Sequence, residues 1–150
     1  MELILWRHAE AVDGLPDMER ALTDKGLKQA ERMASFLRSR IPQDTHILVS
    51  PAKRAQQTAY ALTRHFITEP AIAPNCSVTS LLNAANWPNG DGCVLIVGHQ
   101  PVLGEVAARL LCDNHVSFSV KKGAVYWLTR RPHEWDFQTN LRLVIAPDLL

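Results

Sequence analysis

Long apolar runs are missing from this sequence. The N-terminal segment Met1 to His8 carries an apolar run of only four residues, Leu3 to Trp6, before charge intervenes. A signal-peptide core needs roughly 7–15 apolar residues and a membrane span about 20, so a cytoplasmic protein with neither is predicted. Cysteine is scarce. Cys76, Cys93 and Cys112 make an odd count without C-x-x-C spacing, which argues against a disulfide framework or a zinc knuckle. They read as reduced, partly buried thiols. Net charge is nearly absent as well: sixteen Lys and Arg against fifteen Asp and Glu leave +1, which is not the footprint of a nucleic-acid or acidic-membrane binder. There is no internal repeat, low-complexity tract or charge block.

What is present suits a soluble globular chain. Its 150 residues, 47% hydrophobic and 21% charged, are read as a single domain spanning residues 1–150. A chain of this size buries about 68–70% of its unfolded surface, so no disulfide or metal staple is needed.

Three short runs, Leu3 to Trp6, Ile47 to Val49 and Val94 to Val97, are apolar at successive positions. Such runs predict strands covered on both faces, as in a parallel sheet. Each is followed by a helical pattern. In the first, Thr23 is the predicted N-cap, and Leu27, Ala30, Ala34, Leu37 and Ile41 recur at three- and four-residue spacing until Pro42. In the second, Ser50 is the predicted N-cap with Pro51 at the first helical position, and Ala55, Ala59, Leu62 and Phe66 form the buried stripe. In the third, Pro101 opens a helix with Leu103, Val106, Ala107, Leu110 and Leu111 on one face. Strand alternating with helix means an α/β fold with a parallel core. Pro70 to Gly92, where Pro, Asn, Gly and Ser gather, reads as an irregular connection. Ser117 to Leu128 and Glu134 to Val144 read as a closing β-hairpin at the sheet edge, with Arg130 to His133 between its strands.

The chemistry lies just after each apolar run: Arg7-His8, Ser50-Pro51-Ala52-Lys53-Arg54, and Gly98-His99-Gln100-Pro101. In an open α/β sheet the carboxyl ends of parallel strands share one edge, and ligands bind there. That edge gathers His8, His99, Arg7, Arg54 and two helix N-termini, each equivalent to roughly half a positive charge. Guanidinium forks and helix N-termini suit a compact dianion, so phosphate is the expected ligand. The sequence has no P-loop signature, no Cys-x5-Arg cradle and no obvious two-metal cluster of Asp and His. A histidine is left as nucleophile, attacking phosphorus to form a phosphohistidine that water then hydrolyses. Position alone does not say which of the two histidines attacks.

These residues also carry a resemblance. Leu3 to Glu10, with Arg7-His8-Ala9, resembles the "RHG" opening of the histidine phosphatase (phosphoglycerate mutase-like) superfamily, with alanine where glycine is usual. Leu22-Thr23-Asp24-Lys25-Gly26 resembles its "LT-x-x-G" segment, Ser50 to Thr58 its "SP-x-x-RA-x-QT" segment, and Val97-Gly98-His99-Gln100-Pro101 its "VGH-x-P" segment. The short length and Lys121-Lys122-Gly123-Ala124 look most like the SixA-type phosphohistidine phosphatases within it. The resemblance implies a three-layer α/β/α sandwich with a mostly parallel central sheet. It implies His8 as the phosphorylated nucleophile, Arg7, Arg54 and His99 as holders of the phosphoryl oxygens, and a reaction without metal or other cofactor. It implies histidine-phosphorylated proteins as partners, either a phosphotransfer domain or a phosphotransferase-system carrier, with the enzyme a monomer.

The larger enzymes of that superfamily protonate the leaving oxygen with a carboxylic acid placed between the second and third motifs. Here Pro70 to Gly92 holds no Glu, and its one acid, Asp91, lies just before the third strand. A phosphohistidine leaving group tolerates that absence, because its imidazole carries a proton on its other nitrogen near neutral pH. Arg20 is a further candidate for substrate binding, and Glu10 either lines the pocket or braces a loop. His46, His65, His115 and His133 match no motif and read as surface or packing residues; Lys121 and Lys122 read as a solvated strand end. Docking specificity is expected in Val12 to Glu19 and Cys76 to Gly90. The alternatives are a small-molecule phosphomonoesterase using the same His8 chemistry, a non-catalytic phosphohistidine-binding module, and a metallohydrolase built on His8, Glu10 and His99.

Overall fold

The computed structural model describes residues 1–131 and 138–150. The strands are β1 (Glu2–Arg7), β2 (His46–Val49), β3 (Ile67–Thr68), β4 (Cys93–Gly98), β5 (Val125–Arg130) and β6 (Thr139–Ile145). The helices are α1 (Asp24–Arg38), α2 (Lys53–Tyr60), α3 (Val78–Ala84) and α4 (Val102–Cys112). All six strands join one sheet in the order β3-β2-β4-β1-β5-β6. The first four are parallel, and β5 and β6 add an antiparallel hairpin at one edge.

Successive side chains of a strand point to opposite faces, which explains the three unbroken apolar runs. Leu3, Leu5, Leu48, Val94 and Ile96 pack with Val78 and Leu81 of α3 and Val102, Leu103 and Val106 of α4. Ile4, Trp6, Val49, Leu95 and Val97 pack on the other face with Met33, Ala34 and Leu37 of α1 and Ala55 and Ala59 of α2. The result is a three-layer α/β/α sandwich with a mostly parallel sheet. Among the described residues no helix is long and apolar enough to cross a membrane.

Several boundaries differ from the sequence expectation. The helix expected to run to Pro42 ends at Arg38, and the Leu37 carbonyl accepts from the amides of both Arg40 and Ile41; the residue before a proline is disfavoured in helical geometry. Leu27 is 44% exposed, and Met33 takes its place in the buried stripe. The next helix starts at Lys53 rather than Pro51, with Ala52 at the cap, and ends at Tyr60, so Leu62 and Phe66 pack on the core from beyond it. Pro70 to Gly92 is not wholly irregular: it contains α3, capped by the Ser77 hydroxyl, which accepts from the Ser80 amide. The strand expected from Ser117 begins only at Val125. Cys93 is buried and Cys76 half-buried, but Cys112 is exposed. His46, His65 and His115 lie at the surface; the readings of His133 and of a strand start at Glu134 lie outside the described residues.

Candidate active site

Parallel pairing decides which distant residues meet. Arg7 pairs in register with Gly98, and Val49 with Val97, so His8, Ser50 and His99 all follow at the same sheet edge. The His8 amide donates to the Gly98 carbonyl at 3.0 Å and the Ser50 amide to the Val97 carbonyl at 3.1 Å, extending the ladder one residue into the site. A cavity of about 270 Å³ opens there, lined by Arg7, His8, Asp17, Arg20, Arg54 and His99 among others. The structure thus brings together Arg7, His8, Arg54 and His99, with Arg20 beside them.

Each motif residue has a local reason for its place. Thr23 caps α1 by accepting from the Gly26 amide at 2.9 Å, and its own amide and hydroxyl bond back to Glu10. At Gly26 a β-carbon would collide with the Glu10 backbone, so only glycine allows α1 to press on the loop after β1. The Thr58 hydroxyl donates to the Arg54 carbonyl and accepts from the Ala9 amide, tying α2 to the residue after His8. Gln57 and Gln29 accept from the amides of Leu22 and Glu10. These buried or half-buried bonds hold the loop beneath the cavity, where an unmade bond costs about 1–3 kcal/mol.

The His8 ring has a defined orientation. Its Nδ1 lies 2.7 Å from the Ala9 carbonyl, and a carbonyl only accepts, so Nδ1 carries the proton. The other nitrogen, Nε2, keeps its lone pair and accepts from Arg54 Nε at 3.3 Å. Burial, with Arg54 and Arg7 close by, brings the His8 pKa down to about 4 despite the opposing bond to Ala9. His99 faces His8 with ring centroids 5.2 Å apart, and its Nε2 lies 2.7 Å from the Ser50 hydroxyl. Burial, followed by His8 and Arg54, brings His99 down to about 3. Both imidazoles are therefore neutral at pH 7, so the positive charge of the cavity comes from Arg7, Arg20, Arg54 and Lys122 and not from histidine. Within the site two buried nitrogens, Arg7 Nε and His99 Nδ1, have no hydrogen-bond partner among the described residues.

Asp17 escaped the sequence reading. Its carbonyl and carboxylate accept from Arg54 at 2.9 and 3.2 Å, and the carboxylate also bonds Arg20 at 3.1 Å. Arg20 first, and Arg54 with it, hold the Asp17 carboxyl below the usual carboxylate range. The only signal in the sequence is its place in Val12 to Glu19, a loop expected to set docking specificity and not to enter the cavity. Glu10 does not face the cavity; its carboxylate accepts from the Thr23 hydroxyl at 2.9 Å, a bracing contact. Among the described residues no three of His, Cys, Asp and Glu group to hold a metal ion. The expected free amides at the start of α4 are also partly taken. Gln100 accepts from the Gly104 amide and donates to the Phe118 carbonyl, and His99 accepts from the Leu103 amide. Ser50 caps no helix turn; its hydroxyl is turned to His99 and to the Ala52 amide.

The comparisons with known proteins agree with this geometry. The phosphohistidine phosphatase SixA of Escherichia coli K12 is 30% identical over 120 residues, covering 73% of this chain and 74% of that one. A SixA homolog of Haemophilus influenzae is 33% identical over 135 residues, covering 79% and 82%. The solved structure of the protein histidine phosphatase SixA with tungstate superposes with a TM-score of 0.83 at 23% identity, covering 99% of both chains. The description "Histidine phosphatase superfamily (branch 1)" matches residues 3–76, from the first apolar strand through the SP-x-x-RA-x-QT segment. With the fold, the motif order and these relatives in agreement, the chain belongs to the histidine phosphatase superfamily and is a phosphatase.

Proposed function

We propose that the chain removes phosphoryl groups from phosphohistidine on cytoplasmic signalling or phosphocarrier proteins, through a covalent phosphohistidine on His8. The observation that carries the reading is the neutral His8 ring, its Nδ1 committed to Ala9 and its Nε2 unprotonated, held only by the 3.3 Å bond from Arg54 that phosphorus replaces. Attack by Nε2 on phosphorus breaks the bond to the leaving nitrogen; water then attacks the phosphorylated His8 and releases inorganic phosphate. Arg7 and Arg54 hold the equatorial oxygens, with Arg20 at the rim. We assign the Ser50 hydroxyl as donor to His99 Nε2, 2.7 Å away, which puts the ring proton on Nδ1, the buried atom without a partner among the described residues, for a phosphoryl oxygen.

The phosphohistidine substrate is supported by the state of Asp17. It is the one carboxylate among the described residues lining the cavity, and it is held ionised by two guanidinium groups. An ionised acid has no proton to give an alkoxide, whereas a phosphorylated imidazole brings its own. The relatives named for phosphohistidine dephosphorylation point the same way. Rapid quench with labelled phosphohistidine protein tests it: an acid-labile, base-stable phosphoryl group should be trapped on a His8 peptide and vanish in His8→Ala. Label on His99 would overturn the assignment.

A further inference from the structure

Beside the catalytic cavity lies a larger groove of about 550 Å³, lined by Lys25, Lys28 and Arg32 of α1, Lys121 and Lys122 of the turn before β5, and Arg7, with Asp148. Arg7 and Lys122 line both spaces, so the groove adjoins the site. Six of the chain's sixteen Lys and Arg gather here with one of its fifteen Asp and Glu, in a protein of net charge +1. The rest of the chain is therefore net negative.

The cations are placed by the fold and are not spent on it. Lys25, Lys28 and Arg32 lie three and four residues apart on one face of α1, spanning ~10 Å at 1.5 Å per residue. All three are exposed. Among the described residues none of them, nor Lys122, has an ion-pair partner; Lys121 alone meets Asp148, at 4.0 Å. The turn carrying Lys121 and Lys122 is set at Gly123, whose φ of +75° strains any other residue and where a β-carbon would sit 3.1 Å from the Pro147 ring. Its amide donates to the His8 carbonyl and its carbonyl accepts from the Trp6 indole. The Lys121–Lys122 turn and the His8 backbone are thus tied directly to each other.

We infer that this groove docks acidic side chains flanking the phosphohistidine of the protein substrate, and so selects substrates by charge around the target histidine. The inference rests on the phosphohistidine reading above. Complementary charge at this range raises encounter rate and suppresses wrong partners. A concave groove beside the cavity fits side chains, and an extended polyanion or an anionic bilayer would also meet the net negative remainder of the surface.

The test uses the whole chain and two synthetic peptides with a central phosphohistidine, one flanked by glutamates and the other by glutamines. At low ionic strength the wild type should prefer the glutamate peptide about tenfold in kcat/KM, mainly through KM. The preference should collapse in K25E/K28E/R32E, whose residues lie outside the catalytic cavity, while hydrolysis of the glutamine peptide and of p-nitrophenyl phosphate stays unchanged. No preference in the wild type, or one that persists in the variant, overturns the inference. If p-nitrophenyl phosphate is cleaved and neither peptide is, the phosphohistidine reading is what fails. The groove is then judged by fluorescence anisotropy with the unphosphorylated glutamate peptide, where equal affinity for both proteins overturns it. Tighter, groove-dependent binding of anionic vesicles than of the peptide overturns the protein occupant.

Discussion

The catalytic cavity and the basic groove share Arg7 and Lys122, yet they use positive charge in opposite ways. In the cavity the arginines are held: Arg54 is 4% exposed and bonds both His8 and Asp17, Arg20 bonds Asp17, and Arg7 donates to the Val120 carbonyl. In the groove Lys25, Lys28 and Lys122 stand in solvent with no ion-pair partner among the described residues, and Lys121 meets only Asp148, at 4.0 Å. A preorganised, desolvated donor acts strongly and over a short range, whereas an exposed charge acts weakly, over a Debye length of about 8–10 Å, and is screened by salt. One region is built for chemistry and the other for encounter, and experiments can separate them.

The largest expected contrast is within the cavity. With Asp17 ionised, an alkyl phosphate lacks a proton donor and should fall below a phosphohistidine protein by about 10²–10⁴ in kcat/KM, with p-nitrophenyl phosphate between them. Comparable rates on phosphoglycerate would mean a general acid exists. Next, Arg54→Ala should cost about 10²–10³-fold on p-nitrophenyl phosphate, as expected for a donor aimed at developing charge. Lys28→Ala should leave that activity within twofold, since exposed single charges contribute little; a large Lys28 effect would merge the two regions.

A smaller effect concerns pH. His8 and His99 have folded pKa values of about 4 and about 3, below the ordinary 6.5. The unfolded chain therefore binds more protons between pH 6.5 and those values, and stability falls as pH drops through that window. Thermal unfolding should show a Tm that declines from pH 6.5 toward 4, with a shallower decline in His99→Gln. The acid limb of kcat/KM, corrected for substrate ionisation, should lie near 4; a limb at 6.5 would show that His8 is not held neutral. The smallest effect is ionic. Raising salt from 50 to 500 mM should slow turnover of a phosphoprotein several-fold, and leave p-nitrophenyl phosphate nearly unaffected, because the Debye length shortens by about threefold.

Much of this was legible along the chain. The three apolar runs announced strands with both faces covered, and Thr23 announced the start of α1, because alternation and capping depend on near neighbours. The motifs after those strands then named Arg7, His8, Arg54 and His99, which share one cavity because parallel strands end at one edge. Helix α3 was missed because seven residues give too short a periodicity, although Ser77 followed by Val78, Leu81 and Leu82 was a usable signal. Along the chain Ser50 reads as a cap because its neighbour is Pro51; in space its neighbour is His99.

The order of elements, the buried faces and the identity of the reactive side chains thus come from the sequence by itself, through interactions that span a few residues. The tertiary structure alone decided that both imidazoles are neutral, that Asp17 grips Arg54 across 37 residues, and that Lys25, Lys28 and Arg32 stand opposite Lys121 and Lys122 beside the site. Desolvation and Coulomb interaction depend on distance through space, and no local pattern in a chain encodes which distant charges will meet.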